Sequence, residues 1–83
     1  MNGGTIDYEF SFRVKFSAVG PIIGRQGRVI NEIRMISGCK VDVANISEDG
    51  ATRNVTLSGT QSAVEKARLL IQRKMTEALT NQQ

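Results

Sequence analysis

Residues 19–38 read VGPIIGRQGRVINEIRMISG, and this stretch decides the fold because it places two glycines three residues apart between two apolar segments. The tetrapeptide Gly24-Arg25-Gln26-Gly27 has glycine at both ends and a basic residue inside. Glycine adopts backbone angles that side chains forbid and lets a ligand approach the main chain closely. The amides that open the next helix carry the positive end of its dipole. The segment therefore predicts a loop that holds a phosphate.

Helical patterns flank this loop on both sides. Pro21 suits the first position of a helix, where its missing amide hydrogen has no partner to lose, so we expect a one-turn helix over residues 21–24. After the loop, apolar residues recur at helical spacing and predict a second helix over residues 28–37. Gly38 is then expected as a left-handed C-terminal cap.

The remaining patterns predict three strands and a long helix. Apolar and polar residues alternate strictly over residues 8–16, and we expect the aromatic side of this strand to pack against the helices. Residues 39–44 and 53–58 form two more strand patterns, separated by a polar loop. Thr60 or Ser62 can cap a final helix whose apolar stripe runs to Ala78. The predicted order is strand, helix, helix, strand, strand, helix.

Composition limits the function classes. With 83 residues, 40% of them hydrophobic, the chain corresponds to one small domain, and its net charge of +3 favours an anionic partner. One cysteine and no histidine exclude an intramolecular disulfide and the usual zinc ligand sets. No apolar run approaches the roughly 20 residues that span a bilayer, and the first residues lack the apolar region of a secretory signal. We therefore expect an intracellular protein without metal, cofactor or membrane segment.

The glycine loop, its flanks and the element order together resemble a type I KH domain. The resemblance covers residues 8–78 and implies an α+β fold, β-α-α-β-β-α, with three helices packed on one face of a three-stranded antiparallel sheet. Residues 1–7 would be a flexible leader and residues 79–83 a frayed tail. A nucleotide-binding P-loop is the rival for such a loop, but the Gly-Lys-Ser/Thr ending that it requires is absent.

The resemblance implies a groove that holds about four nucleotides of single-stranded RNA or DNA. The GxxG loop and the residue after it would hold the phosphate backbone: Gly24, Arg25, Gln26, Gly27 and Arg28. An apolar floor would come from the first two helices and the second strand: Gly20, Pro21, Ile23, Ile30, Val41 and Val43. A side chain in place of Gly20 would narrow the groove, and Pro21 departs from the small or varied residue that the family pattern suggests.

Four charged residues are candidates for reading bases. Arg34 lies seven residues after Gly27, nearly two helical turns, so it projects on the same side of the second helix as the loop. Arg53 opens the third strand. Arginines at these two matching positions contact cytosines in the poly(C)-binding proteins and heterogeneous nuclear ribonucleoprotein K, so the resemblance implies a pyrimidine-rich or C-rich preference. Lys40 borders the same groove, and Asp42 is expected to accept from a base, to pair with Lys40 or Arg53, or to be exposed.

The leading hypothesis is a sequence-selective binder of single-stranded nucleic acid, acting on mRNA in the nucleus or the cytoplasm. The sequence contains no histidine, no metal-ligand cluster and no nucleophile with a nearby base, so we do not expect enzymatic activity. The alternative is a protein-interaction or dimerisation module that uses the first strand and last helix, through Arg13, Arg68, Arg73 and Met75. Because one domain contacts few nucleotides, further KH copies or other domains are expected in the parent chain.

Overall fold

Three antiparallel strands form a single sheet in the computed structural model, which describes residues 7–80. The strands are β1 (Tyr8–Lys15), β2 (Lys40–Val43) and β3 (Thr52–Gly59). The central strand is β3, which pairs with both others: Val14 of β1 lies opposite Arg53, and Val41 of β2 lies opposite Leu57. The strands β1 and β2 are therefore the two edges of the sheet.

Three helices cover one face of this sheet. They are α1 (Phe16–Ile23), α2 (Arg28–Ser37) and α3 (Gln61–Thr80). Their fully buried residues, led by Ile22, Ile33 and Ile71, pack with Val41, Val55 and Leu57 of the sheet into one hydrophobic core. The element order and the sheet confirm the β-α-α-β-β-α architecture expected from the sequence.

Helix α1 begins at Phe16, five residues before the one-turn helix predicted over residues 21–24, so that prediction is wrong. The chain passes directly from β1 into α1, and the Phe16 N–H donates to the Ala51 carbonyl at 3.0 Å. Pro21 is the sixth helical residue rather than the first, so its ring nitrogen leaves one main-chain carbonyl of the preceding turn without a donor. Tertiary packing outweighs that loss, because Ile22 is completely buried.

The ends of α2 and α3 follow their predicted signals. Gly38 caps α2 with a left-handed φ of 70°, and its N–H donates to the Arg34 carbonyl at 2.9 Å. Of the two predicted caps of α3, Thr60 is used: its Oγ1 accepts from the Ala63 N–H at 3.1 Å. Helix α3 includes the first two residues of the predicted tail, whereas residues 1–6 and 81–83 lie outside the described part of the chain.

The aromatic side of β1 is only partly covered by the helices. Phe12 packs against the core, but Tyr8 and Phe10 remain 43% and 36% exposed. Phe16 belongs to α1 and is 61% exposed, so the expectation of core packing is wrong at these three positions. Near Phe10, α3 supplies the Arg68 guanidinium, 5.9 Å from the ring centre, and the Phe16 ring faces the Arg53 guanidinium at 5.0 Å.

Candidate nucleic-acid interface

The GxxG loop connects α1 to α2 through an unusual main-chain path. Positive φ angles occur at Gly24, Gln26 and Gly27, with values of 78°, 57° and 75°. The Gly24 N–H donates to the Gly20 carbonyl at 2.7 Å, and the Gly27 N–H donates to the Gly24 carbonyl at 3.1 Å. These bonds close the end of α1 and turn the chain sharply into α2.

The two glycines of the loop are required for different reasons. Gly24 has φ 78° and ψ 171°, a region that is essentially restricted to glycine, and a Cβ there would lie 2.8 Å from the main-chain nitrogen of Val29. Gly27 adopts a left-handed φ, but a Cβ there would meet nothing closer than 3.9 Å. At residue 24, both the lack of room for a Cβ and the positive φ require glycine. At residue 27, only the positive φ favours it.

The side chains of the loop point into solvent without protein partners. Arg25, Gln26 and Arg28 are exposed, and within residues 7–80 none of their side chains makes a hydrogen bond or an ion pair. Two guanidinium groups therefore lie beside the first main-chain amides of α2, which carry partial positive charge. This basic surface suits an anionic oxygen, although Asn31 and the carboxylate of Glu32 line the same shallow cavity as Arg25 and Arg28.

Arg34 bridges α2 to the free edge of β2. Its Nε and Nη2 both donate to the Val41 carbonyl, at 3.2 and 2.7 Å, and its Nη1 donates to Oδ1 of Asn31 at 3.0 Å. The Val41 carbonyl is available because β2 is an edge strand paired only with β3. Three of the five guanidinium N–H groups are thus used inside the protein, which leaves two for a ligand.

Asn31 is a member of this site that the sequence reasoning missed. It follows Gly27 by four residues and precedes Arg34 by three, so the three positions share one side of α2. A Cβ on Gly27 would lie 3.9 Å from Nδ2 of Asn31, so the Asn31 amide spans the distance between the loop and Arg34. The i, i+4 and i, i+3 spacing was the signal that could have identified it.

Arg53 is held at the other end of β2. Its Nη1 donates to the carbonyl of Ala44, the residue that follows β2, at 3.1 Å. Its guanidinium carbon lies 5.0 Å from the centre of the Phe16 ring. Its Nε is buried and has no hydrogen-bond partner in the described part of the chain. Arg34 and Arg53 are therefore each tied to a main-chain carbonyl, one within β2 and one directly after it.

The predicted floor residues differ in how much surface they present. Pro21, Ile23 and Val43 are half-buried and keep accessible apolar surface. Ile30 and Val41 are only 6% and 1% exposed, so their side chains mainly support the core. Gly20 is exposed, and nothing lies within 4 Å of a Cβ built on it.

Lys40 and Asp42 are not brought together with the two arginines. Successive side chains of a strand point to opposite faces, and Val41 points into the helix-covered core. Lys40 and Asp42 therefore lie on the open face of the sheet, where both are exposed. Asp42 makes no ion pair within residues 7–80, so the predicted pairing with Lys40 or Arg53 is not formed and the carboxylate is exposed.

The loop between β2 and β3 is held together by hydrogen bonds to the carboxylate of Asp49, within the loop itself. Oδ1 of Asp49 accepts from the N–H groups of Ala51 and Thr52 at 2.9 and 2.8 Å, and Oδ2 accepts from Oγ1 of Thr52 at 2.7 Å. The Thr52 hydroxyl, followed by these main-chain donors, holds the pKa of Asp49 far below its usual range. Arg13 lies 3.7 Å from Glu48 and 3.8 Å from Asp49. The acids at the loop tip face Arg13 of β1 rather than the arginines of the groove.

The rest of the described chain offers no other chemistry of this kind. Within residues 7–80 no three metal-ligating side chains come together. Burial raises the pKa of the Cys39 thiol, whose sulfur lies 3.4 Å from the carbonyl oxygens of both Lys40 and Ser58 and can donate its one hydrogen to either, so Cys39 is a packed core residue. None of the helices over residues 7–80 is long and apolar enough to cross a membrane.

Comparison with known proteins gives a consistent result. The family model of the KH domain matches residues 9–73. The human and rat forms of far upstream element-binding protein 2 are each 42% identical to this chain over 60 residues, which is 72% of the chain. The chain spans only 8% of the length of these relatives. The residues matched by the family model include the GxxG loop, Arg34 and Arg53.

Proposed function

The chain belongs to the KH-domain family, whose members bind single-stranded nucleic acid, and on that basis we propose that it holds about four nucleotides between the GxxG loop and the free edge of β2. One observation carries the proposal: a basic loop whose side chains have no partner among residues 7–80 precedes α2, while Arg34 of that helix reaches across to the edge of β2. The space between helix and strand is thus bordered by phosphate-binding groups and by donors for base edges. This arrangement suits a strand whose bases are splayed out.

The backbone contacts in this proposal come from the loop. Gly24 and Gly27 bring the main chain close to the phosphates, and the side chains of Arg25, Gln26 and Arg28 supply charge and hydrogen bonds. Gly20, Pro21, Ile23 and Val43 form the accessible floor, with Ile30 and Val41 supporting it from the core. Contacts of this kind position the strand but do not distinguish bases.

Base selectivity in this proposal comes from the arginines. Arg34 has two N–H groups left, and cytosine presents two neighbouring acceptors, O2 and N3, whereas uracil carries a hydrogen on N3. A cytosine therefore satisfies both donors, and a uracil satisfies one. This donor count supports a preference for C-rich strands. Lys40 and Asp42 stay candidates for nucleotides that leave the groove around the edge of β2.

We also propose the biological setting from this binding mode. About four nucleotides give modest affinity, so target selection would depend on further KH or other domains of the parent protein. A role in mRNA regulation, in the nucleus or the cytoplasm and without catalysis, fits such a module. The relatives, of which this chain spans a small part, support a multidomain setting.

An amide NMR titration tests the proposal directly. The ligands are tetranucleotides of C, U and A, as RNA and as DNA, and the signals followed are those of Gly24, Gly27, Arg34 and Arg53. We expect shifts in these signals, largest for the C strand, while the amide of Leu69 on α3 stays unchanged. Binding is contradicted if no tetranucleotide moves the groove signals at millimolar concentration. Equal shifts with all three bases would retain binding and overturn the C preference.

A second candidate function rests on the opposite edge of the sheet. β1 is an unpaired edge that exposes Tyr8 and Phe10, next to a shallow cavity of about 310 Å³ against α3. A second copy of the chain could pair there through Arg68 and Met75, in agreement with the alternative raised by the sequence. Sedimentation at several concentrations distinguishes the two functions: a monomer at all concentrations removes self-association and leaves nucleic-acid binding untouched.

A further inference from the structure

Phe16 is a large aromatic residue whose position is not explained by core packing. Its side chain belongs to the exposed hydrophobic residues and not to the hydrophobic core, although it stands at the junction of β1 and α1. The partner of its ring is a charged group, the guanidinium of Arg53, at 5.0 Å from the ring centre. An exposed phenylalanine that contacts a base-reading candidate calls for a role connected with that arginine.

Two other chain segments contact the Arg53 side chain. Arg53 shares the helix-covered face of β3 with the buried Val55, and so points towards α1 rather than to the open face. Phe16 supplies the ring from the start of α1, and its N–H is tied to the Ala51 carbonyl at 3.0 Å. Ala44 supplies the carbonyl acceptor just after β2. The guanidinium is thus located in the corner between α1 and the end of β2.

The two contacts of the guanidinium restrain it in different ways. The Ala44 carbonyl uses one N–H of Nη1 and sets the direction of the group. The Phe16 ring attracts the group through its face and therefore uses none of its N–H donors. Nε is buried and has no partner among residues 7–80, so the donors left for a ligand are those on the two Nη atoms.

We propose that Phe16 is a positioning residue for Arg53: its ring holds the guanidinium in one plane and so contributes to affinity and to the choice of base. The inference rests on the proposed nucleic-acid binding. An arginine that is already oriented loses less side-chain freedom on binding than a free one. A fixed donor plane also penalises a base whose acceptors do not match it, so selectivity should depend on Phe16 as well as on Arg53 itself.

The test measures the affinity of the protein for tetracytidylate and tetrauridylate RNA in the wild type and in the variants Phe16→Leu, Phe16→Tyr and Arg53→Ala. Leucine stays apolar but lacks a ring, so Phe16→Leu should weaken tetracytidylate binding about two- to five-fold, the range of an exposed cation–π contact. The preference for tetracytidylate over tetrauridylate should fall by a similar factor. Phe16→Tyr keeps the ring and should bind like the wild type.

A double mutant separates positioning from a general structural effect. In the Arg53→Ala background the ring has no guanidinium to hold, so adding Phe16→Leu should change affinity no further. The thermal unfolding of Phe16→Leu should stay close to that of the wild type, because the side chain is mostly exposed. If Phe16→Leu does not fold, two readouts of the contact between the Phe16 ring and the Arg53 guanidinium are still available. They are the Phe16→Tyr variant and the NMR signal of the Arg53 Nε–H in the free protein.

The possible outcomes distinguish this inference from the function on which it rests. If the wild type binds neither RNA, the proposed function fails. If Arg53→Ala weakens binding but Phe16→Leu does not, the function stands and the positioning role is wrong. Tighter binding by Phe16→Leu would also overturn the role, since it would mean that the ring competes with the base for Arg53. Equal losses of affinity for both RNAs would overturn the part that concerns selectivity.

Discussion

The GxxG loop and the β2 edge, which form the two sides of the proposed groove, are built in opposite ways. On the loop side, Arg25, Gln26 and Arg28 have free side chains on a main chain fixed by glycine geometry. On the β2 side, Arg34 and Arg53 are tied to the carbonyls of Val41 and Ala44 at 2.7 and 3.1 Å. On the loop side the main chain is held in place while the side chains are exposed. On the β2 side the arginine side chains themselves are held by hydrogen bonds.

The difference matches what each side would recognise. A phosphate group is the same in every nucleotide and is bound from many directions, so exposed cations and a close main chain are sufficient. A base edge has donors and acceptors at fixed positions, so the groups that read it must be oriented before binding. Changes on the loop side should therefore alter affinity, and changes on the β2 side should alter selectivity.

The largest effect is expected from reversing charge on the loop side. The double variant Arg25→Asp/Gln26→Asp lowers the loop charge by three, two from arginine and one from glutamine, and should abolish binding of any tetranucleotide by repelling phosphates. Aspartate tolerates the left-handed conformation of Gln26, so the unfolding temperature should stay within a few degrees. The control Gln72→Asp/Arg73→Asp makes the same charge change on α3, near the β1 edge. Comparable loss in the control would mean that overall charge, not the loop, governs binding.

The next largest effect concerns the main chain of the loop. Gly24→Ala should destabilise the fold by about 2–5 kcal/mol, because strain at this φ adds to the clash with Val29. Gly50 has a nearly equal φ of 76° with open space around it, so Gly50→Ala should cost only about 1–2 kcal/mol. Urea denaturation measures both. Equal costs would show that the Val29 contact relaxes freely and that φ alone requires glycine at residue 24.

On the β2 side, Arg34→Lys tests selectivity at constant charge. Lysine cannot reproduce the two hydrogen bonds that Nε and Nη2 of Arg34 donate to the Val41 carbonyl. The preference for C over U should therefore fall roughly tenfold, which is about the contribution of one bidentate contact. Arg28→Lys makes the same exchange on the loop side of α2 and should leave the preference unchanged. Competition binding with tetracytidylate and tetrauridylate measures both. A loss of preference in Arg28→Lys, or its retention in Arg34→Lys, would erase the distinction between the two sides.

The smallest effect is expected at the floor between the two sides. Gly20 is helical and a Cβ there meets nothing within 4 Å, so Gly20→Ala should stabilise the fold by about 0.5–1 kcal/mol. Gly20→Leu should be similarly stable but should weaken binding several-fold, because its side chain enters the groove. Thermal unfolding and affinity are measured together for both variants. Unchanged binding by Gly20→Leu would place this residue outside the groove.

Sequence reasoning found the elements whose signals are local. The extent of α2 and its Gly38 cap were predicted because helical spacing and a left-handed cap are encoded within a few residues. The start of α1 was missed because a strand pattern continues through Phe16, and only the bond to Ala51 shows where the strand ends. The separation of Lys40 and Asp42 from the arginines was readable in principle, since they alternate with two valines that face the core.

The contacts that the site residues make could not be predicted from local sequence patterns. Asn31 could have been identified from helical spacing, but its bond to Arg34 depends on where the guanidinium goes, which is the carbonyl of Val41 in another element. Phe16 was assigned to the core by the alternation of β1. Its contact with Arg53 joins residues far apart in the chain, and no local pattern indicates such a pair.

The sequence by itself determined the GxxG loop, because two glycines and the helix that follows constrain φ and ψ within consecutive residues. It also determined the order of elements, since hydrophobic periodicity is a local property. Only the tertiary structure decided the β2 side. The packing of α2 beside β2 and the register of β3 with its neighbours bring Arg34 to Val41 and Arg53 to Ala44 and Phe16. Such contacts depend on the spatial arrangement of separate elements, and that arrangement is fixed by the shared core.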